Sequence, residues 1–261
     1  MNRERLQRIR NFQSEDWYPA LIIRPLTILI MLVIADWRPL TPNRVTTLAN
    51  LSKLAAAWLI LDKQHWLAAA LLLQVGLIFD HLDGTIARYR RVFTKFGSFY
   101  DKASDMVTWT VIMMAVGWKE TELTGDNKWT LFAAISVVTL NLRGYTKWLE
   151  VAEGERLRWL EAKADPVAAV AKRTAPIVIK PPPVRTAKDW ALWFLKKVAV
   201  VFVFEEADLW FWLGLALLID RLDLVLWLFM ISQSAGAAIM FVVRSISMTR
   251  IDRKIRELES Q

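Results

Sequence analysis

Six stretches of this chain are apolar over lengths that match a lipid bilayer. They lie at about 43–62, 66–88, 97–118, 129–148, 198–220 and 223–243. Each is near the ~20 residues that a helix needs to cross the hydrocarbon. Lipid offers a backbone no hydrogen-bond partners, so each segment must close its bonds internally, as a helix. The chain reads as an all-α integral membrane protein with six transmembrane helices. Of its 261 residues, 55% are hydrophobic and 14 are Trp, too apolar a balance for an ordinary soluble domain. The links at 63–65 and 221–222 are tight, so the helices they join should be antiparallel neighbours.

A shorter apolar stretch, 17–36, precedes the first span. Arg24-Pro25 interrupts it, and only Leu26 to Ala35 run unbroken. Basic residues flank it on both sides: Arg3, Arg5, Arg8 and Arg10 before, Arg38 and Arg44 after. A crossing segment should separate a basic side from a less basic one. The stretch therefore reads as an N-terminal interfacial amphipathic helix, with Trp17 and Trp37 at headgroup level. No apolar core with a small-residue cleavage site follows the start, so a signal peptide is not expected.

Cation distribution sets the orientation. Links 63–65, 119–128 and 221–222 hold few cations, and Glu120, Glu122 and Asp126 offset Lys119 and Lys128. The opposite side holds Arg90, Arg91, Lys95, the long 149–197 connection and a tail with Arg250, Arg253, Lys254 and Arg256. That side should be cytoplasmic, and a plasma or inner membrane location follows. A net charge of +8 then reflects basic loops beside anionic lipid, with no nucleic-acid partner. There is no cysteine, which excludes disulfides and thiolate chemistry. The chain divides into a cytoplasmic or interfacial segment 1–42, spans at 43–148, a basic connection 149–197 that includes Pro181-Pro182-Pro183, spans at 198–243, and a basic tail 244–261.

The chemistry concentrates in one place. Asp80, Asp83, Gly84, Ala87, Arg88, Gly97, Asp101 and Asp105 follow the spacing D-x2-D-G-x2-A-R-x8-G-x3-D-x3-D. At 100° per residue, Asp80, Asp83, Gly84 and Ala87 share one helix face, and Gly97, Asp101 and Asp105 form a stripe on the next helix. A short turn joins the two, so the stripes can face each other. Four converging carboxylates repel unless a cation joins them, and a hard divalent ion prefers oxygen ligands. Gly84, Ala87 and Gly97 leave room beside the acids, and Arg88 supplies a guanidinium suited to phosphate. Together they describe a diphosphate pocket in which two metals can clamp the attacking and leaving oxygens. Close helix packing would explain the small residues but not the acids.

These residues resemble the signature of the CDP-alcohol phosphotransferase (CDP-alcohol phosphatidyltransferase) family at every fixed position. The family's P-N-x-V-T element also stands before the first core helix, as Pro42-Asn43-Arg44-Val45-Thr46. The resemblance covers about 40–245 and implies displacement of CMP from a CDP-linked donor by an alcohol, with two Mg²⁺ or Mn²⁺ ions. By that resemblance Asp80, Asp83 and Asp101 ligate metal, while Asp105 ligates the second ion and serves as general base. Asn43, Thr46, Gly84, Ala87 and Arg88 would line the CDP site. The implied partners are CDP-diacylglycerol, a small alcohol or alcohol phosphate, membrane lipid and a second copy in a homodimer.

Three further readings concern partners. Arg143, beside Asn141 in an apolar segment, is the candidate for holding an anionic acceptor; alternatively it snorkels, or pairs with Glu205, Glu206 or Asp208. A soluble CDP-alcohol donor with a lipid acceptor would keep the same chemistry. A divalent-cation transporter is the distant alternative, disfavoured because transport sites lie near the midplane and Arg88 would obstruct a cation path. His81 falls off the acidic stripe and reads as packing.

Overall fold

In a computed structural model, residues 9, 18–166, 186–192 and 206–260 are described. The described residues are helical with no strand. A π-helical turn, Pro19–Ile23, leads into α1, Arg24–Ile34. Then follow α2, Pro42–Ile60; a 3-10 turn, Lys63–His65; and α3, Trp66–Arg90. The remaining helices are α4, Lys95–Thr124; α5, Lys128–Ala164; α6, Glu206–Leu218; and α7, Leu222–Glu259.

Local chemistry explains the helix ends near the acids. Thr41 caps α2 by accepting a bond from the Arg44 N–H, with Pro42 at the first helical position. Thr94 caps α4 by accepting from the Gly97 N–H at 2.9 Å. At the end of α3, Arg91 turns left-handed (φ 55°), and the Arg91 and Val92 N–H groups bond the Arg88 and Ala87 carbonyls. Only Val92, Phe93 and Thr94 separate that turn from α4. The two acidic stripes are thus forced alongside one another.

Helix α2 packs on α3 and α4; α4 packs on α5; α5 on α7; and α6 on α3. The core is aromatic, with Trp109 meeting Trp210 edge-on at 4.9 Å and Phe229 at 5.6 Å. A Cβ on Gly117 would stand 2.5 Å from the Ala133 Cβ, so α4 and α5 touch backbone to backbone. Helix α1 lies on α3 through Met31, and buried Ile9, Ala35, Val45, Leu82, Ile86 and Tyr89 complete that smaller cluster. The Arg90 guanidinium fastens the chain after α1, donating to the carbonyls of Ala35 (2.9 Å), Leu40 (2.7 Å) and Trp37 (2.9 Å).

Helices α5 and α7 are longer than the apolar segments that predicted them. Helix α5 runs unbroken through 148 to Ala164, and α7 through 243 to Glu259. Arg143 pairs with Gln233, Arg244 with Thr146, and Arg156 with Glu259, so contact positions rise together and the two helices run parallel. Their ends form a two-helix stalk that buries Leu157 and Ile255. Sixteen residues of α5 beyond 148 correspond to roughly 24 Å. A helical stretch at 187–192 is also described. The rest of the expected 149–197 connection and residues 198–205 of the fifth apolar stretch lie outside the described residues.

Two described stretches are long and apolar enough to cross a membrane, Lys63–Arg90 and Leu222–Glu259; Leu21–Ile34 and Asp208–Leu218 are apolar but shorter. The reason is visible on α2 and α4. Their inward faces carry Thr46, Asn50, Ser52 and Lys53, and Asp101, Asp105 and Thr108, which lower the mean hydropathy. Helix α3 also lines the site but keeps its apolar signal, because Asp80, Asp83 and Arg88 crowd its last turns and leave the preceding stretch apolar.

Candidate active site

Asp80 on α3 meets Asp101 and Asp105 on α4, with carboxylate oxygens of all three within 4.8 Å of one another. That grouping is what a divalent ion requires. Asp83, one turn after Asp80, stands outside the group. It is buried and accepts a hydrogen bond from the Thr46 hydroxyl, which also reaches the Pro42 carbonyl (3.2 Å). The first turn of α2 is therefore tied directly to the acidic stripe.

The two motif glycines make room for neighbouring side chains rather than for the carboxylates themselves. A Cβ on Gly97 would lie 2.9 Å from Thr94 Oγ1 and 3.1 Å from Asn43 Oδ1. Asn43 consequently reaches the start of α4 only because residue 97 has no side chain. A Cβ on Gly84 would lie 3.2 Å from both terminal nitrogens of Arg88. The guanidinium folds back along α3 and donates to Thr85 Oγ1 at 3.4 Å. Ala87 is half-buried one turn after Asp83. Thr47 and Tyr100 close the α2–α4 contact, with their hydroxyls 3.0 Å apart. The donor set is all hard oxygen, and the glycines leave a cradle that any side chain would fill, so these residues fit a divalent ion.

Sequence reasoning missed one member of this constellation. Lys53, in the middle of α2, is wholly buried. Its ammonium lies 3.2 Å from Asp80 Oδ1 and 3.1 Å from Asp105 Oδ1. The signal was present: an ionisable residue inside an apolar segment needs a partner and marks a site.

A cavity of about 520 Å³ opens on the far side of Asp105. Lys102, Arg143, Lys147 and Arg244 line it, with Asn141, Trp148 and Glu150. Arg143 donates to Gln233 Oε1 at 2.5 Å and packs over Gly236, where a Cβ would crowd the guanidinium at 3.3 Å. Arg244 donates to the Arg143 carbonyl and to Thr146 Oγ1, and stands 3.6 Å from Glu150. The structure thus brings Arg143 to the acids' end of the bundle. The bond shown for it runs to Gln233; Glu205 and the Glu206 side chain lie outside the described residues, and Asp208 is buried at the start of α6. His81 Nδ1 stands 3.0 Å from the Leu77 carbonyl of its own helix.

At the opposite end of the bundle, Glu120 is buried beside Asp220 and Asp223, and burial is the main cause pushing its carboxyl above the ordinary range. Lys63 and Arg221 oppose that shift.

The chain is similar to bacterial proteins of known activity. It is 33% identical over 78 residues to a phosphatidylinositol phosphate synthase of Corynebacterium glutamicum, covering 30% of this chain and 36% of that one. It is 28% identical over 117 residues to the phosphatidylinositol phosphate synthase of Mycobacterium tuberculosis, covering 45% of this chain and 54% of that one. The chain thus matches about a third to a half of the length of these relatives. The sequence pattern of the CDP-alcohol phosphatidyltransferase family matches residues 39–171, just over half of the chain, and this interval includes α2, both acidic stripes and Arg143. With the acids convergent, the glycine cradle in place and the family pattern spanning both, the chain belongs to the CDP-alcohol phosphatidyltransferase family.

Proposed function

We propose that this protein transfers a phosphatidyl group from CDP-diacylglycerol to a small phosphorylated alcohol and releases CMP. One observation carries the reading: Asp105 belongs both to the acidic group and to the wall of the cation-rich cavity. A hydroxyl seated in that cavity meets the base and the metal ligands at one point. Three basic side chains from α5 and α7 (Arg143, Lys147 and Arg244) favour an anionic acceptor. The names of the bacterial relatives support a polyol phosphate.

Mg²⁺ or Mn²⁺, when bound, neutralises the diphosphate and stabilises the departing phosphate. Asp80, Asp83, Asp101 and Asp105 would hold the two ions. Thr46 fixes Asp83 in position. Asn43, Gly84, Ala87 and Arg88 form the CDP side: the glycine keeps the wall open, and the guanidinium faces the phosphates. Asp105 takes the proton of the acceptor hydroxyl. The hydroxyl oxygen then bonds to the lipid-side phosphorus as the bond from that phosphorus to the bridging oxygen breaks, and CMP leaves. Arg143 orients the acceptor through its phosphate, which keeps that anion from competing for the metal.

The reading includes six crossings with the acids on the cytoplasmic side and α1 lying in the interface. Cysteines introduced at Lys95 and Asp126 of this cysteine-free chain should be labelled from opposite sides. The function itself is tested by incubating purified protein with CDP-diacylglycerol, Mn²⁺ and matched alcohols with and without phosphate. CMP release should require the phosphorylated acceptor. Turnover of a soluble CDP-alcohol with diacylglycerol, and none of CDP-diacylglycerol, would overturn the direction of transfer.

A further inference from the structure

Lys53 is an unusual occupant of an acidic metal centre. Its ammonium bridges Asp80 and Asp105, which come from different helices, at 3.2 and 3.1 Å. The side chain has no exposed surface, whereas Asp80 and Asp105 are 21% and 13% exposed. It also lies over the Trp210 ring, 5.3 Å from the centroid. The surroundings are shaped for it. A Cβ on Gly76 would sit 2.9 Å from Lys53 Cγ and 3.2 Å from the Ala49 carbonyl, so the stem passes through a notch that only glycine leaves. A lysine threaded past a glycine, beneath an indole and onto two acids is held in one geometry.

We infer that Lys53 is a built-in counter-cation of the acidic cluster, a positioning residue that braces Asp80 against Asp105 and weakens their hold on divalent ions. The inference rests on the metal-site reading above. Its physical basis is that two cations attracted to the same carboxylates oppose each other's binding, most strongly in a buried setting. Without Lys53, the convergent acids repel, and the metal-free bundle is strained open. With it, the acids stand assembled before any metal arrives, and the metal binds less tightly than four bare carboxylates would hold it.

The test uses the full chain in detergent, with Lys53→Met, Lys53→Gln and Lys53→Arg beside the wild type. Thermal unfolding is followed in EDTA and in graded Mn²⁺, and Mn²⁺ affinity is measured by calorimetry. Both neutral variants should melt below the wild type in EDTA, bind Mn²⁺ about tenfold tighter, and gain more from Mn²⁺ than the wild type does. Lys53→Arg should stay near the wild-type affinity. If the methionine variant does not fold, the glutamine variant, which keeps a polar head, gives the same reading. Equal or weaker Mn²⁺ affinity in the neutral variants overturns the inference. So does a melting loss that is the same with and without Mn²⁺, the mark of packing alone. Wild-type protein that binds no Mn²⁺ overturns the metal reading itself, and this inference with it.

Discussion

The two halves of the candidate site are built differently. The acidic half, on α3 and α4, is assembled from residues 25 positions apart at most, between Asp80 and Asp105, across a three-residue turn. The cavity half is assembled by α5 and α7, where Arg143 meets Gln233 and Thr146 meets Arg244, pairs 90 and 98 positions apart. One half follows from local geometry; the other exists only when the whole bundle has closed. The acidic half should therefore tolerate perturbation of the bundle far better than the cavity half, and the chemistry should be more robust than the choice of acceptor.

The comparison can be broken at its strongest point first. Asp101→Asn removes a ligand from the group of three acids without touching the aromatic core. CMP release should fall by more than the ~100-fold that loss of an outer-shell metal partner can cost, while the melting temperature in EDTA does not fall. Retained activity at saturating Mn²⁺ would remove the acidic half from the chemistry. Arg143→Ala addresses the cavity half. Losing a charge-assisted contact costs roughly 1.5–3 kcal/mol, so the acceptor KM should rise about 10- to 100-fold, with the KM for CDP-diacylglycerol little changed. An unchanged acceptor KM with a lower melting temperature would make Arg143 a bundle strut that serves Gln233 alone.

Smaller effects sharpen the contrast. Leu157→Ala empties a buried position in the stalk, at a cost of about 1–2 kcal/mol. Hydrogen exchange should quicken at stalk amides on α5 and α7, while metal-dependent CMP release stays the same. The smallest effect belongs to the far end. Because the folded-state pKa of Glu120 is raised, the folded protein holds a proton that the unfolded chain gives up. Stability from this group is present at acid pH and lost as pH rises from the ordinary carboxylate range through the raised value. Glu120→Gln should flatten that decline, so the melting-temperature gap between variant and wild type should widen toward higher pH.

What could be read from the sequence tracks the same division. Asp80, Asp101, Asp105, Gly84 and Gly97 were legible because helical periodicity turns spacing into a shared face, and a three-residue turn allows little choice of partner. Thr46 was placed by its neighbour Asn43 in a short motif, but its bond to Asp83 was not foreseen, since the register of α2 against α3 depends on packing. Lys53 was passed over because it looked like a single polar residue in an apolar run; its partners are 27 and 52 positions away. Lys147 and Arg244 carried no periodic signal, as only the parallel alignment of α5 and α7 brings them together. The apolar pattern located the helices but missed where α5 and α7 end, because the stalk is held by a narrow seam and ion pairs rather than by continuous apolar surface.

The notch at Gly76 imposes an order on how this chain can change. With lysine at 53, any side chain at 76 strikes its stem. With glycine at 76 and a short residue at 53, nothing fills the gap except a cavity, which a bundle can endure. The passable route between a lysine-bearing and a lysine-free ancestor therefore runs through the glycine: it must be the first of the pair to arrive and the last to leave.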